Sequence, residues 1–161
     1  MSERAPLIAN LKRTRDATLP FFRSSPEVAD RSYATGKWTM RQLLVHLADH
    51  ESVVLDRLRR TAADPVDGVA LPNADQTVWA NVLLYSRRSL SAAEQLYAGS
   101  RASLIELLEI LPESLESRFG MHSVRGRMTL LQEGDTWGHN DHHLAQIRAV
   151  ASGTTWSPAA R

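Results

Sequence analysis

Apolar residues recur at helical spacing in four long stretches of this chain, at about residues 4–18, 39–61, 91–111 and 129–151. In the second stretch, Met40, Leu43, Leu47, Val54 and Leu58 fall on one face of a helix that advances about 100° per residue. A shorter helix is predicted over residues 73–85. Residues 24–37, which are rich in Ser, Pro and Gly, and the stretch GMHSVRGRM at residues 120–128 are predicted to be loops. No stretch alternates convincingly like a strand.

Local signals at the ends of these stretches support four long helices. Thr39 followed by Gln42 forms a capping-box pattern, Ser89 or Ser91 caps the third helix, and prolines follow the first and third helices. The pattern predicts an all-α fold, namely a four-helix bundle with one or two additional short helices. We expect a single domain over residues 1–161, with a core at about 5–151 and an irregular tail at 152–161.

Composition and charge remove several classes of function. With 19 basic and 18 acidic residues, the formal net charge of +1 gives no reason to expect nucleic acid or an anionic membrane as a partner. No apolar run reaches the roughly 18 residues of a membrane span, and no secretory leader is recognisable, so we expect a cytoplasmic protein. The chain has no cysteine, which excludes disulfides, zinc–thiolate sites and a cysteine nucleophile.

Three of the six histidines lie within five residues, in the stretch GHNDHHLAQI. On a helical wheel, His139 and His143 lie one turn apart at the edge of the apolar arc, with Gln146 beside them. His142 falls outside the arc and is expected to face solvent. Two histidines at this spacing are either a pair of metal ligands or core residues satisfied by hydrogen bonds.

The second predicted helix directs two more histidines towards the interior. His46 borders the apolar arc of that helix, and His50 lies on the arc one turn later. If the two helices are neighbours, His46 completes a three-histidine metal site whose fourth position stays open for water or a substrate atom. His50 is either an extra ligand or a residue that supports the ligands. We expect His122 to be an ordinary polar residue.

Two familiar metal motifs do not fit the chain. The residue after His139 is Asn140, whereas an HExxH metalloprotease needs a glutamate there. No glutamate lies three residues before a histidine, which excludes a ferritin-like di-iron site. A mononuclear three-histidine site remains, and its imidazole ligands favour Zn or Ni, with Fe or Mn as further options.

Two carboxylates and two aromatic side chains are predicted to border this site. Glu51 and Glu133 are candidates for proton transfer or for orienting a ligand, although a salt bridge at the rim is the favoured role for both. Trp38 and Trp79 either line the mouth of a pocket or pack in the core. No catalytic residue is identified from the sequence.

The stretches WTMRQLLVHLADHE and HNDHHLAQI together resemble the DinB-like superfamily of metalloenzymes, over roughly Leu7–Ala151. The resemblance implies a four-helix bundle with up-down-down-up connectivity, often assembled as a homodimer. It also implies a divalent metal held by His46, His139 and His143. The histidines at positions 50 and 142 are not part of the family pattern.

Three candidate functions compete, of which the first two follow from the resemblance, whose known members use the metal to activate a thiol or water. Some members are transferases or isomerases that use low-molecular-weight thiols such as mycothiol or bacillithiol, so the first is a thiol-dependent transferase or isomerase of a small molecule. The absence of cysteine fits a thiol supplied from outside the chain. The second candidate is a hydrolase that uses a metal-bound water at the same site. The third is a non-catalytic dimeric helical module that binds a ligand.

Overall fold

A computed structural model describes residues 3–134 and 138–157. Its regular elements are α1 (Arg4–Thr18), α2 (Pro26–Ala29), α3 (Met40–Ala63), β1 (Val69–Leu71), α4 (Gln76–Val82), α5 (Leu90–Ile110), β2 (Phe119–His122), β3 (Gly126–Thr129), α6 (Leu130–Gly134) and α7 (His139–Ser152). Short 3₁₀ turns lie at Leu19–Arg23, Tyr85–Arg87 and Glu113–Leu115. The long helices α1, α3, α5 and α7 form the predicted four-helix bundle. None of the described helices combines the length and the hydropathy needed to cross a membrane.

Two clusters of buried apolar residues, stacked along the bundle, define the directions of the helices. The upper cluster joins the first halves of α3 and α5 to the end of α7, and the lower cluster joins their second halves to α1. α3 and α5 are therefore parallel. α7 is antiparallel to α3, because its first residue His139 contacts His46 while Val150 packs in the upper cluster. Arg4 at the start of α1 donates to the carbonyl of Leu111 after α5, which completes the up-down-down-up connectivity.

A buried ion pair lies between the two clusters. Arg101 on α5 donates through Nε and Nη2 to the two carboxylate oxygens of Glu51 on α3, each at 2.6 Å. Its Nη1 donates to the Leu11 carbonyl at 3.1 Å and to the Thr14 hydroxyl at 2.9 Å, both on α1. One guanidinium thus joins three helices. The salt bridge predicted for Glu51 exists, but it lies in the core and not at the rim.

Most helix boundaries follow their local signals. The Thr39 hydroxyl accepts from the Gln42 amide while the Gln42 side chain accepts from the Thr39 amide, which is the predicted capping box. Ser89, and not Ser91, caps α5. The helix predicted at residues 73–85 is confined to α4, where the Asp75 carboxylate accepts from two backbone amides of the first turn.

The prediction of one continuous last helix is wrong. Gly138 adopts a left-handed backbone, with φ of +68°, immediately before α7 begins at His139. An α-helix cannot continue through that conformation, which glycine adopts without steric cost. Residues 135–137, between α6 and Gly138, lie outside the described part of the chain. After α7 the predicted irregular tail is observed at residues 153–157, and residues 158–161 lie outside the description.

A small three-stranded sheet, in the order β1-β2-β3, contradicts the loop predicted at residues 120–128. β1 pairs in parallel with β2, with Val69 opposite Gly120, and β2 pairs antiparallel with β3, with His122 opposite Gly126. A Cβ at position 120 would lie 2.6 Å from the side chain of Leu71, so any larger residue there would force that buried side chain to move. Strands of three or four residues are too short to produce a readable alternation.

Replacing Arg101 with Met is expected to lower the free energy of unfolding by about 3–5 kcal/mol, because it leaves the Glu51 carboxylate buried without its cation. The double variant Glu51→Leu with Arg101→Met should recover most of that loss. Urea unfolding followed by circular dichroism measures both. As a control, Lys12→Met breaks an exposed ion pair with Glu109 and should change stability by less than about 0.5 kcal/mol. A single Arg101 variant as stable as this control would contradict the assignment.

Candidate metal centre

The bundle brings His46 of α3 together with His139 and His143 of α7. One ring nitrogen from each histidine lies within 4.8 Å of the other two. The Nε2 atoms of His46 and His139 are 2.9 Å apart, and the ring centroids of His139 and His143 are 4.6 Å apart. Three imidazoles therefore converge between the two helices, on the faces that the helical wheels predicted.

The surroundings keep these three rings neutral near pH 7. Burial, with a smaller effect from His143, lowers the pKa of His46 to about 3. Burial also lowers the pKa of His143 to about 4. For His139, burial and then the neighbouring His50 hold the pKa well below its usual value. A metal ion binds neutral imidazole, so the cluster presents its nitrogens in the form that coordination needs.

A short hydrogen-bonded chain orients the ring of His143. Its Nδ1–H donates to Oε1 of Gln146 at 2.7 Å, and both side chains are buried. The amide of Gln146 in turn donates from Nε2 to Nε2 of His142 at 3.3 Å. Because the proton of His143 is on Nδ1, its Nε2 has a free lone pair for coordination. His142 itself is exposed, as predicted, and packs edge-on against Trp156.

His50 flanks the cluster without joining it. Its ring stacks on that of His139 with the centroids 3.8 Å apart and the planes at 22°. The centroid of His46 is farther away, at 5.8 Å. Burial and the neighbouring His46 keep the pKa of His50 well below its usual value. The position of His50 therefore matches a residue that holds the His139 ring in place.

Two cavities flank the histidines. The arginine cavity, of about 240 Å³, has walls that include His46, His50, Arg57, His122, Arg125 and His139. The tryptophan cavity, of about 290 Å³, lies against His143 and Gln146 and is bordered by Trp38. Both tryptophans considered from the sequence pack against the upper core cluster, and Trp38 also lines a cavity. The cluster is open on two sides.

Sequence reasoning missed the two arginines and treated His122 as an ordinary residue. Arg57 is buried on α3 and follows His46 by about three helical turns, so the wheel that selected His46 also places Arg57 on the same stripe. His122 and Arg125 reach the cavity on the hairpin of β2 and β3, which the sequence did not indicate. Only Arg57 therefore had a signal that could have been read in advance.

Glu133 of α6 is fully buried beside Arg57. The distance from its Oε2 to Nη1 of Arg57 is 3.9 Å, and neither carboxylate oxygen hydrogen-bonds to a described residue. Burial raises the pKa of Glu133, while the nearby Arg57 opposes that shift. The prediction that Glu133 forms a salt bridge at the rim is therefore wrong about its location. The ion pair of Glu133 with Arg57 is buried, and its charged atoms are too far apart for a hydrogen bond.

The fold and the site define a class of protein: a four-helix bundle with a three-histidine cluster between its second and last long helices. Residues 10–147 match the family model of the DinB superfamily. The chain belongs to the DinB superfamily, as the sequence resemblance indicated.

Two relatives come from Oceanobacillus iheyensis. They are named "Putative metal-dependent hydrolase OB0413" and "Putative metal-dependent hydrolase OB0782". OB0413 is 25% identical over 134 residues, which cover 81% of this chain and 75% of the relative. OB0782 is 28% identical over 134 residues, which cover 81% of this chain and 74% of the relative.

A solved structure shares the fold. YfiT from Bacillus subtilis, described as a probable metal-dependent hydrolase with an unusual four-helix bundle topology, superposes with a TM-score of 0.84. The alignment covers 98% of this chain and 91% of YfiT at 22% sequence identity. The likeness shows that the two chains have the same bundle architecture.

The metal-free protein is expected to lose stability as the pH falls from about 7 to about 5. The unfolded histidines titrate near pH 6.5, whereas the pKa values of His46 and His143 are far lower in the folded state. The unfolded state therefore binds more protons in this range, at a cost of up to about 1.4 kcal/mol per pH unit for each histidine. Urea unfolding at several pH values measures the slope. A variant with both histidines replaced by Gln should have a shallower slope, and an unchanged slope would contradict the account.

Proposed function

We propose that His46, His139 and His143 bind one divalent metal ion and that the protein is a metal-dependent hydrolase of a small molecule. The observation that carries the proposal is the convergence of three neutral imidazoles beside two cavities. Among the described residues, the converging group includes no fourth side chain. Three protein ligands with one open position are typical of catalytic metal sites, whereas structural sites use four protein ligands.

The donor set fits such an ion. Tetrahedral coordination with metal–nitrogen bonds of about 2.0–2.1 Å places the ligand nitrogens about 3.3–3.4 Å apart. The observed separations, from 2.9 Å between two Nε2 atoms to no more than 4.8 Å within the group, bracket that value. Imidazole nitrogens favour Zn or Ni, and Fe or Mn remain further candidates.

The chain's own residues prepare the site for hydrolysis. When bound, a divalent metal acts as a Lewis acid and lowers the pKa of a coordinated water to about 7. Gln146 fixes the tautomer of His143, and the ring of His50 supports that of His139. Glu51 cannot serve as the proton-transfer group considered from the sequence, because Arg101 holds both of its carboxylate oxygens in the core. Catalysis therefore depends on the histidine cluster and on the walls of the two cavities.

A thiol-dependent transferase or isomerase is the second candidate for the same site. The absence of cysteine is consistent with it, because any thiol must then come from a small molecule. A cation at the three histidines would stabilise the thiolate form of that co-substrate. The names of the two Oceanobacillus relatives favour the hydrolase. Assembly as a homodimer and a cytoplasmic location remain predictions from the sequence.

The first test is the metal content of the untagged protein, purified without chelators and measured by inorganic mass spectrometry. We expect about one equivalent in the wild type and none in a folded variant with His46, His139 and His143 all replaced by Ala. The matched control is Arg148→Ala, which alters an exposed residue of the same helix and should retain the metal. A wild-type protein that neither carries nor takes up Zn, Ni, Fe or Mn would overturn the proposal and favour the non-catalytic module.

The metal-loaded protein then separates the two chemistries. A hydrolase turns over ester, amide or similar substrates without added thiol, whereas a transferase or isomerase requires a low-molecular-weight thiol for turnover. The triple variant provides the background rate for both assays.

Replacing Gln146 with Leu should weaken metal affinity by about 10–100-fold, because His143 loses the acceptor that keeps the proton on Nδ1. Competition with a chromophoric zinc chelator measures the change. The control Gln95→Leu alters an exposed glutamine on α5 and should bind zinc as the wild type does. Equal affinity in both variants would show that the Gln146 hydrogen bond does not support the site.

A further inference from the structure

We propose that the arginine cavity binds the anionic group of the substrate, a carboxylate or a phosphate, beside the three-histidine cluster. The proposal rests on the proposed function in taking that cluster as the reacting centre. The cavity itself is defined by the protein alone, so its anion binding can be measured with and without metal. Three observations carry it: a buried guanidinium, a hairpin that adds two further donors, and the absence of acidic residues from the described cavity wall.

Arg57 supplies the buried guanidinium. Its side chain is 5% exposed, and its Nε donates to the Pro72 carbonyl at 2.7 Å, which anchors the group against the loop after β1. Among the described residues, the nearest carboxylate is that of Glu133, 3.9 Å from Nη1, which is too far for a hydrogen bond. Within the described residues, neither terminal nitrogen of Arg57 has a hydrogen-bond partner, so the charge-assisted donors of the guanidinium remain available to an anion.

The hairpin of β2 and β3 adds His122 and Arg125. Nδ1 of His122 accepts from the backbone amides of Val124 and Arg125, at 3.1 and 3.2 Å. The neutral ring therefore carries its proton on Nε2, which is a donor. Burial, followed by the charges of Arg57 and Arg125, lowers the pKa of His122 and keeps the ring neutral. Arg125 is exposed in the turn and lines the same cavity.

The described residues that line the arginine cavity carry positive charge and no negative charge. Among the described residues that line the arginine cavity there are two arginines and no aspartate or glutamate. Glu133 does not line the cavity, and its carboxylate lies 3.9 Å from Nη1 of Arg57, too far for a hydrogen bond that would occupy the guanidinium. Three neutral histidine ligands would leave the full charge of a divalent ion uncompensated beside this wall. An anionic substrate group supplies the missing negative charge, and the planar fork of a guanidinium fits both carboxylate and phosphate.

The arginine cavity also has walls formed by His46 and His139. An anion held by Arg57 and Arg125 thus lies in the same cavity as two of the three converging histidines. This arrangement would hold the anionic end of a substrate at the arginines, with the rest of the molecule extending through the cavity towards the metal position. The inferred substrate class is therefore a small carboxylate or phosphate compound.

Isothermal titration calorimetry in a buffer of low ionic strength tests the proposal with three probes: inorganic phosphate, acetate and the uncharged analogue acetamide. Each is titrated into metal-free and zinc-loaded protein. We expect both anions to bind metal-free wild type, and acetamide not to bind. Arg57→Gln and Arg125→Gln should each weaken anion binding about tenfold or more. Arg59→Gln, which alters an exposed arginine on the same helix, should change nothing.

The outcomes separate this proposal from the proposed function. Anions that bind only the zinc-loaded protein, with the same affinity in all variants, would lie on the metal and would overturn the anion subsite alone. Acetamide that binds as well as acetate would also overturn it. Arginine-dependent binding in a protein that takes up no metal would support the subsite and reject the metal-dependent function.

If Arg57→Gln fails to fold, Arg125→Gln, in an exposed turn, decides the question. Stronger binding of phosphate than of acetate assigns the phosphate class, and the reverse assigns the carboxylate class.

Discussion

The guanidinium of Arg101 is the contact on which the arrangement of the bundle depends. It is fully buried, and it binds the Glu51 carboxylate of α3 together with a carbonyl and a hydroxyl of α1. A buried ion pair contributes little net stability compared with an apolar replacement, but it penalises every arrangement that leaves one charge unpaired. Because Glu51 directly follows His50 along α3, the register set by Arg101 is also the register of the helix that carries His46. The geometry of the histidine cluster is thus linked to an ion pair on another face of α3.

α3 combines three kinds of surface along its length. One face contributes to both apolar clusters, another presents Glu51 to Arg101, and a polar stripe presents His46, His50 and Arg57 to the arginine cavity. The histidines on that stripe are neutral because burial disfavours their charged forms. The stripe therefore places coordinating nitrogens and a fixed positive charge in one row. A single helix thereby supplies part of the metal centre and part of the wall beside it.

The parts that were predictable from the sequence are those that a single helix determines. The periodicity of the apolar residues gave the long helices, the Thr39 capping box marked the start of α3, and the wheels placed His46, His139 and His143 on inward faces. The break before α7 was missed because glycine is tolerated inside a helix as well as at its ends, and only the observed φ of Gly138 distinguishes the two. The sheet was missed because its strands are too short to show an alternation and because β1 pairs with a strand far away in the chain. His122 and Arg125 could not be assigned to the site because the packing of their hairpin beside α3 is a tertiary contact that no local pattern shows.

The parallel pairing of β1 with β2 has a consequence for how the site becomes accessible. The three strands that hold the hairpin in place, with Val69 paired to Gly120, bury only Leu71 and Met128 as large apolar side chains. A unit with so few buried apolar contacts opens at a lower free energy than the helices beneath it. The hairpin that bears His122 and Arg125 can therefore separate from α3 while the bundle stays folded. Local unfolding of this sheet would widen the arginine cavity beside His46 and His139, so that larger ligands could reach the histidines while the core stays closed.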